Sequence, residues 1–323
     1  MQVPMVVPTR KSERVKKPPS YLQDYHCSLP TSQANLVTSS VRYPISSSLP
    51  YSLLSSSHQS FALAISSVTE PKAYNEAILS DCWKDVIQSE LNALEKNQTW
   101  DLTVLPPGKK TVGCRWIFKV KHKADGSIER YKARLVAQGF TQVAGLDYVD
   151  TFSPVVKMTT IRVFLSIAVA RNWELHQLDI NRVFLHGDLV ENVYMRLPPG
   201  LNVSYSNMVC KLKKSLYGLK QASRMWNIKL TTTLQNSGYL QSKSDYSLFT
   251  KSTATGFISV LVYVDDLLIG GDDSAEILHL KNVLHIAFSI KDLGTLSYFL
   301  GMEVTRNSFG ISLCQRKYAL ELV

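Results

Sequence analysis

The sequence has few cysteines, a deficit of negative charge and no long apolar run. Its five cysteines are odd in number, widely separated and never spaced as Cys-x-x-Cys, which argues against a disulfide framework or a zinc site and fits a reducing compartment. No unbroken apolar run reaches the ~18 residues of a membrane-spanning helix. The nearest run, residues 257–271, is interrupted by Asp265 and Asp266. No membrane partner is therefore expected.

Basic residues outnumber acidic ones by 36 to 26, so the formal net charge is +10. A protein with this balance attracts polyanions, of which nucleic acid is the first to consider and an anionic membrane surface the second. The 323 residues are 45% hydrophobic and 10% aromatic. That much apolar surface excludes a wholly disordered or collagen-like chain. The sequence therefore describes a basic, globular protein.

Composition divides the chain into three parts. Residues 1–60 hold 7 of the 13 prolines and 14 serines, and such a segment buries too little apolar area to offset the entropy lost on ordering. We interpret it as a disordered basic linker, whose cluster of Lys and Arg at residues 10–17 is either solvated or available to phosphates. Residues 61–108 are interpreted as an N-terminal helical lead-in, and residues 109–323 as the main domain.

Periodicity in the sequence predicts an α+β fold. Apolar residues recur at helical spacing, whereas runs rich in β-branched and aromatic residues are typical of strands. The predicted helices cover residues 81–96, 157–171 and 220–235. The predicted strands cover 111–120 and 127–139, which form a basic hairpin, then 173–180, and finally 257–264 with 267–270. This order predicts an antiparallel sheet with helices on one face.

Asp265 and Asp266 occupy the tip of a predicted hairpin whose strands are strongly apolar. Adjacent, partly desolvated carboxylates repel each other, and Mg²⁺, which prefers oxygen ligands, would relieve the repulsion. Asp179 also follows an apolar strand and precedes a turn, so it is the best candidate for a third ligand in a two-metal site for nucleotidyl transfer. The alternative is that Asp265 and Asp266 only form a surface turn.

The string "YVDD" at residues 263–266 resembles the signature hairpin of reverse transcriptases. Six further strings resemble, in order, the reverse transcriptase of copia-type LTR retrotransposons of plants: "CWKDVIQSELNALEKNQTWDL", "LPPGKKTVGCRWIFKVK", "YKARLVAQGFTQVAGLDYVDTFSPVVK", "LHQLDINRVFLHGDLVENVYMRLPPG", "LYGLKQASRMW" and "DLGTLSYFLGMEV". The resemblance begins near residue 61. It implies a right-hand polymerase fold, in which helices back an antiparallel palm sheet and a β-hairpin forms the fingers, with the thumb largely missing.

The resemblance also implies a role for each matching residue. Three aspartates match the palm carboxylates that bind two Mg²⁺ (or Mn²⁺) ions and are catalytic: Asp179, Asp265 and Asp266. Phe184 matches the aromatic residue that excludes a 2′-hydroxyl, although an ordinary core position is the alternative. The implied nucleotide-binding residues are Phe184, Gln221, Arg134, Lys132, Arg182 and Val183. The implied contacts to nucleic acid are Lys119, Lys121, Lys123 and Tyr263, and the alternatives for the three lysines are the triphosphate and simple solubility.

Two functional hypotheses follow from the resemblance. The first is an RNA-directed DNA polymerase core, part of a Gag-Pol polyprotein, that extends a primer on an RNA or DNA template with deoxynucleoside triphosphates. The second is a retroelement relic that folds and binds nucleic acid but does not polymerise. Arg182 and Val183 stand where relatives carry small or polar residues, which motivates the second hypothesis. Nucleotide incorporation separates the two.

Overall fold

A computed structural model describes residues 69–123, 127–203, 207–307 and 310–316. These residues belong to the unit that spans 56–323. The linker predicted at 1–60 and the tip of the basic hairpin at 124–126 lie outside the described residues. Within the described ranges, no helix combines the length and apolarity needed to cross a bilayer.

The predicted helices and strands occur in the predicted order along the described chain, and the structure adds further elements between and after them. The helices are α1 (Tyr74–Ala77), α2 (Asp81–Lys96), α3 (Met158–Ala170), α4 (Ala222–Asn236) and α5 (Ser274–Phe288), with 3₁₀ turns at Gly139–Thr141 and Val183–His186. The first strands are β1 (Trp100–Val104), β2 (Thr111–Val112), β3 (Cys114–His122), β4 (Ile128–Ala137), β5 (Glu174–Ile180), β6 (Tyr194–Met195) and β7 (Met208–Leu212). The remaining strands are β8 (Leu240–Gln241), β9 (Leu248–Ser252), β10 (Phe257–Tyr263), β11 (Asp266–Gly271), β12 (Ile290–Thr295), β13 (Tyr298–Phe299), β14 (Met302–Asn307) and β15 (Gly310–Cys314).

The central sheet has six antiparallel strands in the order β12-β5-β11-β10-β9-β8. Successive side chains of a strand point to opposite faces. In β11, Leu267 and Ile269 pack in the cluster with α4 and α5, whereas Leu268 packs in the cluster with α3. All three side chains are fully buried. The expectation that helices pack on only one face of the sheet is therefore wrong. Both faces are apolar, and helices bury each of them: α4 and α5 on one face and α3 on the other.

The basic hairpin, β3 with β4, packs against α2 rather than against the central sheet. Trp83 of α2 meets Phe118 and Tyr131 edge to face, with ring centroids 5.2 and 4.9 Å apart. Strand β1, within the predicted helical lead-in, pairs with β7 in a second sheet of order β1-β7-β6-β2. The lead-in thus shares a sheet and a core with the main domain.

Candidate active site

The structure brings the three predicted carboxylates together at one end of the central sheet. Only Val264 and Asp265 separate β10 from β11, and Asp266 begins β11. In the ladder between β11 and β5, Asp266 is the partner of Asp179. The amide of Ile180 donates a hydrogen bond of 2.9 Å to the carbonyl of Asp265. Residues more than eighty positions apart in the chain are therefore immediate neighbours, and we call residues 263–266 the acidic turn.

The charges of these carboxylates oppose one another. Burial raises the pKa of Asp179, and the charge of Asp265 raises it further, against the smaller effects of Lys291, Lys132 and Arg134. Burial also raises the pKa of Asp266, as do Asp265 and Asp179, whereas the Gln177 amide, 3.5 Å away, works to lower it. Among the described residues, no group of three or more His, Cys, Asp or Glu side chains forms a cluster that could hold a metal ion. Ionisation of Asp179 and Asp266 is thus less favourable than that of an ordinary carboxyl group.

A cleft of about 710 Å³ separates the central sheet from the basic hairpin. Asp179 and Asp265 line it on the sheet side, together with Asn181, Arg182 and Tyr217. Asp266 is half-buried beside Gln177. Asp179 and Asp265 therefore line the cleft, whereas Asp266 does not.

The opposite wall of the cleft is basic because of the alternation along β4. Ala133 and Leu135 are buried in the hairpin core, so the alternate residues project the other way. Those residues, which line the cleft, are Arg130, Lys132 and Arg134. Burial lowers the pKa of Lys132, and the charges of Arg134, Arg130 and Lys121 lower it further. Such a concentration of cations binds an anion favourably.

Two aromatic rings lie beside the basic wall. The Arg134 guanidinium stands over the Tyr217 ring, 4.3 Å from its centroid. On another side, Tyr217 meets Phe184 edge to face, with the ring centroids 4.7 Å apart. Phe184 follows Asp179 through the 3₁₀ turn and is half-buried between two core clusters. Phe184 therefore packs against Tyr217, which lines the cleft, but does not line the cleft itself.

Gln221 does not line the cleft in this structure, and its predicted contact with the nucleotide stays a prediction. The side chain is fully buried. Its amide group accepts a hydrogen bond from Gln142 at 3.0 Å and donates one to the carbonyl of Asp147, also at 3.0 Å. Gln221 therefore ties the start of α4 to the loop after the basic hairpin.

Arg182 and Val183 occupy different environments despite being adjacent. Arg182 lines the cleft, where Nε and Nη2 donate hydrogen bonds of 3.1 and 2.9 Å to Glu90 of α2. Val183 is 1% exposed and packs in the core between the central sheet and α4. Its side chain therefore does not line the cleft, and the predicted approach of its backbone amide to a nucleotide stays a prediction. Through its hydrogen bonds to Glu90, Arg182 links the segment after β5 to α2, the helix that packs on the basic hairpin.

The residues predicted to contact primer or template lie outside the cleft wall. Lys119 and Lys121 pair with Lys132 and Arg130 across the hairpin, so they continue the same basic face. Lys119 also forms an ion pair of 2.9 Å with Glu70. Lys123 is exposed near the hairpin end. Tyr263 is half-buried at the start of the acidic turn and packs against the α3-side core.

Two residues that no pattern in the sequence indicates, Tyr217 and Glu90, also line the cleft. The string "LYG" shows a turn before α4, but Tyr217 contacts Arg134 only because that turn meets the end of β4. There the Ala137 amide donates a hydrogen bond of 2.7 Å to the Tyr217 carbonyl. Glu90 sits on a helix predicted as structural. No local signal in the sequence indicates either contact.

Comparison with known proteins gives the family. A family model described as reverse transcriptase (RNA-dependent DNA polymerase) matches residues 97–323. A retrovirus-related Pol polyprotein from transposon RE2 of Arabidopsis thaliana is 47% identical over 266 residues, covering 82% of this chain and 18% of that protein. The corresponding polyprotein from transposon TNT 1-94 of Nicotiana tabacum is 45% identical over 262 residues, covering 79% of this chain and 20% of that protein. The chain thus spans about a fifth of these relatives.

Among solved structures, a foamy viral protease-reverse transcriptase in complex with double-stranded DNA aligns with a TM-score of 0.38 and 13% identity, over 74% of this chain and 37% of that one. The family assignment rests on the sequence matches, of which the family model covers more than half of the chain. They confirm the copia-type resemblance found in the sequence: this chain belongs to the reverse transcriptase (RNA-dependent DNA polymerase) family.

Proposed function

We propose that the cleft catalyses RNA-directed DNA synthesis, in which the 3′-hydroxyl of a primer attacks the α-phosphorus of a deoxynucleoside triphosphate and pyrophosphate leaves. One observation carries the proposal: carboxylates and cations that are remote in sequence line a single cleft. Asp179 and Asp265 come from the central sheet, and Lys132 and Arg134 come from the basic hairpin. Phosphoryl transfer needs this combination, because both metal ions and cationic side chains stabilise the charge of the transition state.

The donor atoms present suit Mg²⁺ or Mn²⁺, whereas in the described residues the three aspartate side chains do not form a metal-binding group. Asp179, Asp265 and Asp266 offer only oxygen donors, which these ions prefer, and a divalent cation would relieve the mutual repulsion that helps to raise the pKa values of Asp179 and Asp266. When bound, the ions would activate the primer hydroxyl and stabilise the leaving oxygen. We assign Asp179 and Asp265 as direct ligands because they line the cleft. Asp266 lies next to Asp179 in the sheet and adds a third negative charge there, but it does not line the cleft.

The basic wall is proposed to bind the triphosphate. Lys132 and Arg134 project from one face of β4 into the cleft, and the Tyr217 ring beneath Arg134 restricts the orientation of the guanidinium. A cation held in place before the substrate binds gives up less conformational entropy on binding. Phe184, packed against Tyr217, remains our candidate for the residue that excludes a 2′-hydroxyl.

Primer and template are proposed to bind along the basic face that continues from the cleft. Lys119 and Lys121 extend this face beyond Lys132 and Arg130, and Lys123 follows them. Contacts of Lys with backbone phosphates supply most of the sequence-independent affinity for nucleic acid. Tyr263, at the acidic turn, is proposed to lie on the primer side. Because the related proteins are Pol polyproteins, we further propose that this chain acts as part of one.

Primer extension tests the proposed function. With an oligo(dT) primer on a poly(rA) template, we expect incorporation of deoxythymidine triphosphate in Mg²⁺ or Mn²⁺. Incorporation should stop when EDTA removes the metal and resume when the metal is restored. Tight, salt-sensitive binding of primer-template without incorporation under any of these conditions would favour the relic hypothesis instead.

Lys132→Gln and Arg134→Gln are expected to weaken nucleotide binding. A charge-assisted hydrogen bond contributes about 1.5–3 kcal/mol, so the KM for nucleotide should rise about ten- to a hundredfold in each variant. The matched control is Lys84→Gln, because Lys84 is an exposed residue of α2 paired with Asp81 outside the cleft. Steady-state kinetics with varied nucleotide measure the effect. An unchanged KM in both hairpin variants would contradict the assignment.

A further inference from the structure

Val264, in the acidic turn, adopts a backbone conformation that its side chain disfavours. Its φ is +54°, in the left-handed region that β-branched residues rarely occupy. Such a conformation persists only where surrounding contacts hold it, and it is found mostly at functional sites. The conformation of the turn therefore depends on contacts from outside the hairpin.

Two hydrogen bonds from other elements hold the turn. The indole Nε1 of Trp226, in α4, donates a hydrogen bond of 2.8 Å to the carbonyl of Val264. The amide of Ile180, in β5, donates one of 2.9 Å to the carbonyl of Asp265. The carbonyls of Val264 and Asp265, the two residues between β10 and β11, thus both accept hydrogen bonds from outside the hairpin. One donor is the Trp226 side chain, and the other is the backbone of β5.

Trp226 also contacts the segment that follows Asp179. A Cβ atom added to Gly187 would lie 2.8 Å from the Trp226 amide nitrogen, so only glycine allows the chain after the 3₁₀ turn to approach α4 this closely. The Trp226 ring lies 5.9 Å from His186 in that turn and 5.0 Å from Phe288 of α5. With 2% of its surface exposed, Trp226 is enclosed by these contacts, and its indole N–H is directed at the acidic turn.

We propose that Trp226 is a positioning residue for the carboxylates, which holds the acidic turn in its strained conformation so that Asp265 stays beside Asp179 when metal binds. The inference rests on the proposed function and deepens it. Removal of the indole N–H leaves the Val264 carbonyl without this bond and releases the turn. Because small displacements of reacting groups reduce rates strongly, the expected result is a loss of turnover at nearly unchanged nucleotide affinity.

Trp226→Phe, made in the 323-residue chain, tests the inference against a matched control. Trp116 is also a buried Trp, and its Nε1 donates a hydrogen bond of 3.0 Å to the carbonyl of Pro199, outside the cleft. Trp116→Phe therefore removes the same chemical group at a site unrelated to the acidic turn. We expect a similar fall in Tm for both variants. Faster hydrogen exchange in peptides that cover residues 260–270 is expected only for Trp226→Phe.

Mn²⁺ binding and primer extension supply the functional readouts. For Trp226→Phe we expect the Kd for Mn²⁺, measured by electron paramagnetic resonance, to rise at least threefold (about 0.65 kcal/mol by RT ln 3). We expect kcat to fall at least about tenfold, with the KM for nucleotide within about twofold of the parent protein. Trp116→Phe should leave all three values within about twofold. These effects assign a positioning role, because a loss of stability alone would affect both variants alike.

An isostere separates the hydrogen bond from the ring packing. β-(3-Benzothienyl)alanine at position 226 keeps the size of the indole but lacks its N–H, so it should reproduce the faster exchange and weaker Mn²⁺ binding even if Trp226→Phe folds poorly. Unchanged exchange and Mn²⁺ binding with this isostere would overturn the inference. A parent protein that never incorporates nucleotide, while the isostere still loosens residues 260–270 and weakens Mn²⁺ binding, would contradict the proposed polymerase activity and support the positioning role.

Discussion

Asp179→Asn, as a single change, is expected to reduce nucleotide incorporation by more than about a hundredfold without loss of the fold. The lower limit follows from the loss of one preorganised electrostatic contact at a reacting phosphate, which costs about 10²–10³ in rate. An amide in place of the carboxylate removes one negative ligand from the acidic end of the sheet, while the backbone ladder between β5 and β11 stays intact. We expect the same fall in nucleotide incorporation, more than about a hundredfold, for Asp265→Asn.

The stability of the Asp179→Asn protein should change in the opposite sense to its activity. Burial and the charge of Asp265 raise the pKa of Asp179 in the folded protein above the ordinary value of 3.8. A carboxyl group with a raised folded pKa binds its proton more tightly in the folded state, so stability falls as the pH rises from the ordinary value through the folded one. Asn does not ionise and avoids this loss. The variant should therefore equal the parent at low pH and exceed its Tm at neutral pH without metal.

Asp101→Asn is the control for this prediction. Asp101 is an exposed carboxylate of β1, 3.4 Å from Lys213 and outside the cleft. Its replacement should alter neither incorporation nor the Tm at neutral pH by more than a surface substitution usually does. Calorimetry between pH 4 and 8 and primer extension measure the two quantities. Retention of full activity in Asp179→Asn, or the same loss in Asp101→Asn, would contradict the assignment of the acidic site.

Gly218→Ala is expected to destabilise the protein by about 2–5 kcal/mol. Gly218 has a φ of +90°, which costs an L-residue ~1–2 kcal/mol. A Cβ there would overlap the carbonyl oxygen of Ala137 and lie 2.7 Å from Cγ1 of Val136, both in β4. Overpacking of this kind adds ~1–3 kcal/mol. Because the neighbouring Tyr217 carbonyl accepts the Ala137 amide hydrogen bond, the change should also detach Tyr217 from Arg134 and lower activity.

Gly108→Ala separates backbone strain from steric overlap. Gly108 has a similar φ of +77°, but an added Cβ would meet nothing within 4 Å. The free energy of unfolding of this control should therefore fall only by the ~1–2 kcal/mol that a left-handed conformation costs an L-residue. Urea denaturation with a common m-value gives both differences in free energy of unfolding. Equal losses at the two glycines would show that contact between the "LYG" turn and β4 is unimportant.

Local patterns in the sequence predicted helices α2 to α4, strand β5 and the two hairpins, but not α5 or most of the other strands. The stripe of Trp83, Ile87, Leu91 and Leu94 predicted α2, and all four side chains are buried. The run broken by Asp265 predicted the β10–β11 hairpin with its acidic tip. The patterns could not predict which helices pack on each face of the central sheet, because a continuously apolar strand does not indicate which helix lies on which side.

The sequence predicted site residues at the ends of strands better than it predicted those whose side chains contact distant segments. The position of Asp179 next to the acidic turn followed from two apolar strands that each end in a carboxylate, and the structure has them paired in register. Gln221 stands in a string that resembles the family's, yet its side chain is buried between elements. Tyr217 carried no signal of its own, because its contact with Arg134 depends on a turn and a strand that are remote in sequence.

The amino-acid sequence alone determined the family, helices α2 to α4, the two hairpins and the three acidic positions, since each depends on local spacing or on motifs within one segment. The tertiary structure alone decided which carboxylates open into the cleft, which cations line the other wall, and that an indole from α4 binds the strained turn. The reason is physical: burial, electrostatic coupling and hydrogen-bond geometry between distant segments arise only when the sheet, the hairpin and the helices pack together.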